Sequence, residues 1–310
     1  MSEMDTQRLV SDPSGLNAAA DILGSGGLVA FPTETVYGLG ADARDGEAVA
    51  RIYAAKGRPA FNPLIVHVAD VAAAQRYGLF DVATRKVADA FWPGPLSLVV
   101  PLAPDHGLSP LVTAGLDTVA LRVPAHPLAH ALLTRFDGPV AAPSANPSGR
   151  ISPTTAGHVM AGLSGRIDAV LDGGACSVGL ESTIIGGTPL ALLRPGGVAQ
   201  EDIEAITGPL AVASEQITAP GQLASHYAPN AALRLNADHA EPGEVLLGFG
   251  PMPCDLNLSD RGDLVEAAAN LFGQLHALDA RGAPIAVAPI PNTGLGRAIN
   301  DRLQRAAAPR

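Results

Sequence analysis

The chain alternates short runs of β-branched and aliphatic residues with longer stretches in which apolar positions recur every three or four residues. That is the rhythm of an α/β protein, a sheet covered by helices. Strands are predicted at 28–31, 63–68, 96–101, 118–123, 139–142, 169–172, 183–185 and 191–194, and helices at 46–56, 81–91, 127–136, 154–163 and 200–206. From 207 to 230 the periodicity lapses into proline, glycine and serine punctuation, so an interdomain linker is expected between a first unit, 1–206, and a second, 231–310. In the second unit ALRLNA, GEVLLGFG and PIAVAPI read as strands, and helical periodicity covers 260–278 and about 295–306. Asp260 and Asp263 suit the positive end of the longer helix, and Gly282 with Pro284 stops it.

Composition narrows the function. A hydrophobic fraction of 47% in 310 residues supports a sizeable core, and 16% charged residues are too few for an acidic disordered tail. The net charge of −10 and the scarcity of aromatic residues count against an extended nucleic-acid surface. The start, MSEMDTQRLV, lacks the basic and apolar blocks of a secretory signal, and the apolar stretch 91–104 is broken by four prolines, so a cytoplasmic protein without a membrane span is expected. Cys176 and Cys254 form no C-x-x-C pair and read as packing residues.

Several motifs are missing. Neither lysine, Lys56 or Lys86, is followed by serine or threonine, which excludes a Walker phosphate loop. Gly38/Gly40 and Gly294/Gly296 lack the last glycine of a dinucleotide fingerprint and read as turn and close-packing glycines. His126 and His130 straddle Pro127 at a predicted helix start, where capping explains them better than a metal.

Polar residues nevertheless collect just after predicted strand ends, where open α/β sheets bind ligands. PTETVYGLG (32–40) is a hydroxyl-rich turn that Thr33 and Glu34 could equally use as a strand-to-helix cap. Lys56 and Arg58 share one short loop with Asn62 and could converge on a polyanion. His67 ends the run NPLIVHV, and Arg122 interrupts an apolar strand, where a guanidinium must be paired or meet an anion. Ser144, Asn146 and Ser152 stand in a proline-braced hydroxyl and amide cluster, which serves either as a helix cap or as a phosphate nest. Glu181-Ser182-Thr183 and Arg194 before a glycine turn complete the set.

In this order the segments PTETVYGLG, K-x-R, NPLIVHV, FWPGPLSLV, LRVPAHP, S-x-N, ESTII and LLRPG resemble the YrdC/Sua5 family of L-threonylcarbamoyladenylate synthases. APGQLASHYAP (219–229) is similar to the linker of its two-domain Sua5-type members, and GLGRAINDRL to the end of their Sua5 domain. The resemblance implies a twisted open mixed sheet with flanking helices as a YrdC-like catalytic domain, the linker as a lid, and a small Rossmann-like α/β C-terminal domain. It implies that L-threonine, bicarbonate or CO2, and ATP give threonylcarbamoyl-AMP, pyrophosphate and water, by nucleotidyl transfer, for modification of tRNA adenosine 37. Carried over, Thr35, His67, Arg122 and Ser182 hold threonine, with Arg122 facing its carboxylate. Lys56, Arg58, Asn62, Thr118, Ser144, Asn146, Ser152, Arg194 and the linker's Tyr227 line the ATP site, Lys56 and Arg58 being catalytic. Mg2+ is expected on the phosphates without a protein metal site, and a tRNA threonylcarbamoyltransferase downstream, alongside a weak RNA contact. The alternative is a non-enzymatic RNA-binding or ribosome-assembly factor on the same fold, which the acidic balance disfavours.

Overall fold

The computed structural model describes residues 5–59, 62–212 and 227–309. The first unit runs β1 (Gln7–Leu9), α1 (Pro13–Gly24), β2 (Val29–Pro32), β3 (Tyr37–Asp42), α2 (Gly46–Lys56), β4 (Ile65–His67), α3 (Val71–Ala74), α4 (Val82–Phe91) and β5 (Leu96–Pro101). It continues through α5 (Pro110–Thr113), β6 (Thr118–Arg122), α6 (Pro127–Phe136), β7 (Val140–Ala141), α7 (Ala156–Leu163), β8 (Ala169–Leu171), β9 (Thr183–Gly186), β10 (Ala191–Arg194) and α8 (Gln200–Thr207). The second unit comprises β11 (Leu233–Arg234), β12 (Val245–Gly248), β13 (Leu256–Asn257), α9 (Leu264–Asp279), β14 (Ile285–Val287) and α10 (Gly296–Ala307). Ten strands form one mixed sheet, ordered β1-β8-β2-β3-β7-β4-β6-β5-β9-β10, and four form a second, β11-β14-β12-β13, whose pairs are all parallel.

Each strand and helix expected in the first unit is present, with α2, α6, β5 and β10 at the expected bounds. Three differences have local causes. The turn after β2 is no helix cap: Thr33 Oγ1 donates to the Val36 carbonyl at 2.7 Å and turns the chain into β3, antiparallel to β2. Helix α9 starts at Leu264, because the Asp263 carboxylate accepts from the Val265 and Glu266 amides and leaves Asp260 in the preceding turn. Helix α1 was not expected, although Asp12 caps it and Pro13 opens it. His126 does cap α6, its ring accepting from the Leu128 amide. Most of the expected linker and lid, 213–226, lies outside the described residues.

Strand alternation divides the larger sheet into two faces. One carries Val66, Leu98, Val100, Leu121 and Ile185 into the main core beneath α2, α4, α7 and α8. On the other face α1 and α6 cover only the half built from β8, β2 and β7. Over β4, β6, β5 and β9 that face keeps a small apolar floor, Ile65, Val99, Ala120 and Ile184, and there the sheet is open to a ligand. The second unit closes over this region. Val36, Ile151, Leu180 and Tyr227 belong to the same apolar core as Leu271, Phe272 and Ile299, and the His158 and His276 rings stack at 3.9 Å. Among the described residues no helix is long and apolar enough to cross a membrane.

Candidate active site

A small cleft lies over the uncovered half of the sheet. β4 and β6 are parallel with His67 opposite Arg122, so both side chains project from one face beside the floor residues Ile65 and Ala120. The β2–β3 turn supplies Thr33 and Thr35, the stretch after β7 supplies Ser144, and the approach to β9 supplies Glu181 and Ser182. Arg58, Arg194 and Tyr227 complete the lining.

Arg58 reaches the cleft because α2 stops cleanly: Gly57 takes a left-handed conformation at φ 61°, and the Arg58 amide returns to the Tyr53 carbonyl. Its Nη2 donates to the Pro63 carbonyl at 3.1 Å, while its buried Nε has no partner among the described residues. Burial pulls its pKa down to about 10, and the neighbouring Arg194 pushes the same way. Arg194 donates to the Ser182 carbonyl at 2.8 Å and to Ser182 Oγ at 3.2 Å, and Ser182 Oγ lies 2.8 Å from Ser97 Oγ. The Oδ1 atoms of Asn62 and Asn146 are likewise buried without a partner among the described residues.

Six expected site residues stand as follows. Arg122, expected to face the threonine carboxylate, is engaged within the chain: its Nη2 donates to Glu34 at 2.6 Å, Nη1 to Thr35 Oγ1 at 2.9 Å and Nε to the Gly94 carbonyl at 3.2 Å. A guanidinium this deeply buried needs a countercharge, and the chain supplies it. Lys56 does not line the cleft, since its ammonium sits on the Ser144 and Asn146 carbonyls and burial holds it well below the ordinary lysine value. It braces the loop that carries Ser144. Thr118 stands four residues before Arg122 on β6, some ~13 Å along the strand, and is absent from the lining. Ser152 lies behind the wall and donates to Glu181. Asn62 and Asn146 are also absent from the lining.

Three participants escaped the sequence reading of the site. Glu34 reads there only as a capping residue, and Glu181 and Arg302 only as parts of the motifs ESTII and GLGRAINDRL. Arg302 Nε donates to Glu181 at 2.8 Å across 121 residues of chain. Burial would raise the Glu181 pKa, but Arg302, followed by Arg194, outweighs it and keeps the carboxyl below its usual value.

His67 packs edge-on against Phe31 with its Nδ1 buried and without a partner among the described residues. Burial, with Arg122 adding, pulls it from 6.5 to about 3, and burial with His276 adding pulls His158 to about 4. The unfolded chain takes up these protons near its ordinary pKa while the folded chain does not. Stability is therefore expected to be complete above about pH 6.5 and to fall progressively toward pH 4. Thermal midpoints measured across that range check this, and a flat profile would contradict it.

A family model described as "Telomere recombination", covering Sua5, YciO and YrdC proteins, matches residues 21–196. A second, described as "Threonylcarbamoyl-AMP synthase, C-terminal domain", matches 198–308. The chain is 41% identical to a threonylcarbamoyl-AMP synthase of Bacillus subtilis over 98% of its own length and 96% of the relative's. It is 40% identical to one of Pyrococcus abyssi, with 94% of each chain covered. Among solved structures, P. abyssi Sua5 complexed with L-threonine superposes with a TM-score of 0.89 at 37% identity, covering 97% of both chains.

Proposed function

Because the chain belongs to the Sua5/YrdC family of threonylcarbamoyl-AMP synthases, we propose that its cleft joins L-threonine, bicarbonate or CO2, and ATP into threonylcarbamoyl-AMP, releasing pyrophosphate and, from bicarbonate, water. The product supplies the threonylcarbamoyl group of modified tRNA, handed on to a tRNA threonylcarbamoyltransferase. The observation that carries the reading is a single cleft with two chemically distinct parts. Thr35, neutral His67 and Ser182 offer hydroxyl and imidazole contacts suited to a small amino acid, and Arg58 with Arg194 forms a cationic part suited to phosphate.

No side chain needs to act as a nucleophile. Threonine's amine, once deprotonated, adds to CO2, and the carbamate oxygen displaces pyrophosphate from the α-phosphorus, a nucleotidyl transfer. The chain's part is placement and charge neutralisation. His67 keeps the same protonation state throughout the neutral range, so its contact with threonine does not titrate there. Glu34 and Glu181, the carboxylates nearest the cleft, are each engaged by an arginine, which leaves Mg2+ to arrive on the ATP phosphates as part of the substrate. Arg58, Arg122 and Arg194 are buried rather than displayed, which favours a small anion over an RNA backbone.

The test is pyrophosphate release from MgATP and bicarbonate with and without L-threonine, with the adenylate identified by mass spectrometry. Threonine-dependent release together with threonylcarbamoyl-AMP is the expected result. Neither product from folded protein would refute the proposal.

A further inference from the structure

A charged side chain of the second unit, Arg302, bonds to a residue of the cleft lining. Arg302 is fully buried on α10, yet its guanidinium lies among first-unit and linker residues. Nε donates to Glu181 Oε2 at 2.8 Å, Nη1 donates to Asp301 at 2.7 Å, and the guanidinium carbon lies 5.0 Å from the centroid of the Tyr227 ring. Glu181 and Tyr227 both line the cleft. Glu181 also accepts from Ser152, and the next residue, Ser182, receives Arg194. Tyr227 holds a left-handed backbone at φ 63° and stacks on Phe272 of α9 at 5.8 Å.

We propose that Arg302 is a positioning residue for the synthase reaction, one that acts from the C-terminal unit by fixing Glu181 and Tyr227 as two walls of the cleft.

Cohesion alone does not account for an arginine here. Its Nη2 is buried without a partner among the described residues, a cost to the fold. Buried ion pairs can commonly be replaced by packed apolar side chains at no loss of stability, so a pair kept at a cleft wall points to a role in geometry. Both contacts act on groups that face the ligand. Arg302 engages the carboxylate of Glu181, while the Arg194 guanidinium next to it donates to the Ser182 carbonyl and hydroxyl. The Tyr227 ring is clamped between Arg302 and Phe272, so its position depends on α9 and α10 together.

The inference rests on the reaction proposed above, and the test separates the two. In wild-type protein, Arg302→Met, Arg302→Lys and the double variant Glu181→Gln/Arg302→Met, pyrophosphate release is measured with kcat and KM for threonine and ATP, and each protein's thermal unfolding is recorded. Arg302→Met is expected to lower kcat by about 100-fold, the cost of an ångström-scale misplacement of bound groups, while still unfolding cooperatively above the assay temperature. Arg302→Lys should recover part of the loss. The double variant should be no worse than Arg302→Met, because both changes break the same link. Wild-type kcat and KM in Arg302→Met, or a loss that disappears on cooling, would overturn the inference while leaving the reaction standing. If Arg302→Met does not fold, the double variant, uncharged on both sides, decides: normal kcat overturns the inference and reduced kcat supports it. A wild-type protein without threonine-dependent turnover would overturn the reaction, and the inference with it.

Discussion

Arg58→Ala is expected to slow threonine-dependent pyrophosphate release by about 10²–10³-fold, roughly 3–4 kcal/mol of transition-state stabilisation. The size follows from the charge arrangement around the cleft. Arg122 is neutralised by Glu34, and Arg302 by Glu181 and Asp301. Among the described residues Arg58 takes part in no ion pair, and its charged neighbours include Lys56 and another arginine, with two tyrosines nearby. A guanidinium buried to this degree without a carboxylate is costly unless an anion arrives, and its depressed pKa records that cost. When phosphate charge builds on the departing pyrophosphate, Arg58 is already desolvated and oriented. The effect should fall on kcat at least as strongly as on KM for ATP. The fold loses only neutral bonds to the Asn62 and Pro63 carbonyls, so thermal unfolding should shift little. Arg58→Lys should lie between the two, keeping the charge but losing the fork. Near-normal turnover in Arg58→Ala would remove this residue from the phosphate end.

Much of the fold was legible in periodicity and end signals. Helices such as α2 and α6 announce themselves by apolar spacing and by capping residues, Asp45 and His126. Strand β3 was hidden because it is buried on both faces and contains glycine. A Cβ on Gly40 would meet Phe31 and Val140 at 2.9 Å, so the residue that permits close packing also erases the alternation. The site was legible where polar residues interrupt apolar strands, as at His67, Arg122 and Arg194. What could not be read was how charges would be shared. The partner of Arg122 lies 88 residues earlier, inside a turn that also looks like a cap, and the partner of Glu181 lies on the face of α10 that helical periodicity assigns to a core. Sequence spacing carries no record of such long-range pairings. Nor could sequence show that packing sets the Lys56 ammonium, expected at phosphate from its residue type and loop placement, on backbone carbonyls.

Arg122→Met should destabilise the protein by about 3–5 kcal/mol, because it strands the Glu34 carboxylate in a buried turn. The two side chains are 4% and 8% exposed, so water cannot replace the lost partner. Glu34 would retain only the Ala125 amide at 3.1 Å, and Thr35 Oγ1 would lose its donor from Arg122. The threonine end of the cleft should loosen with it, so KM for threonine rises along with the loss of stability. A double-variant cycle separates the two consequences. Arg122→Met/Glu34→Gln removes both charges, and most of the stability lost in Arg122→Met should return, since an uncharged amide is far cheaper to bury than a carboxylate. Threonine affinity should not return, because the Arg122–Thr35 contact is still missing. Denaturant unfolding measures the first quantity and threonine-dependent turnover the second. If both recover together, Arg122 serves only to neutralise Glu34; if stability stays low in the double variant, Arg122 supports the fold through its bond to the Gly94 carbonyl and its packing rather than through its charge.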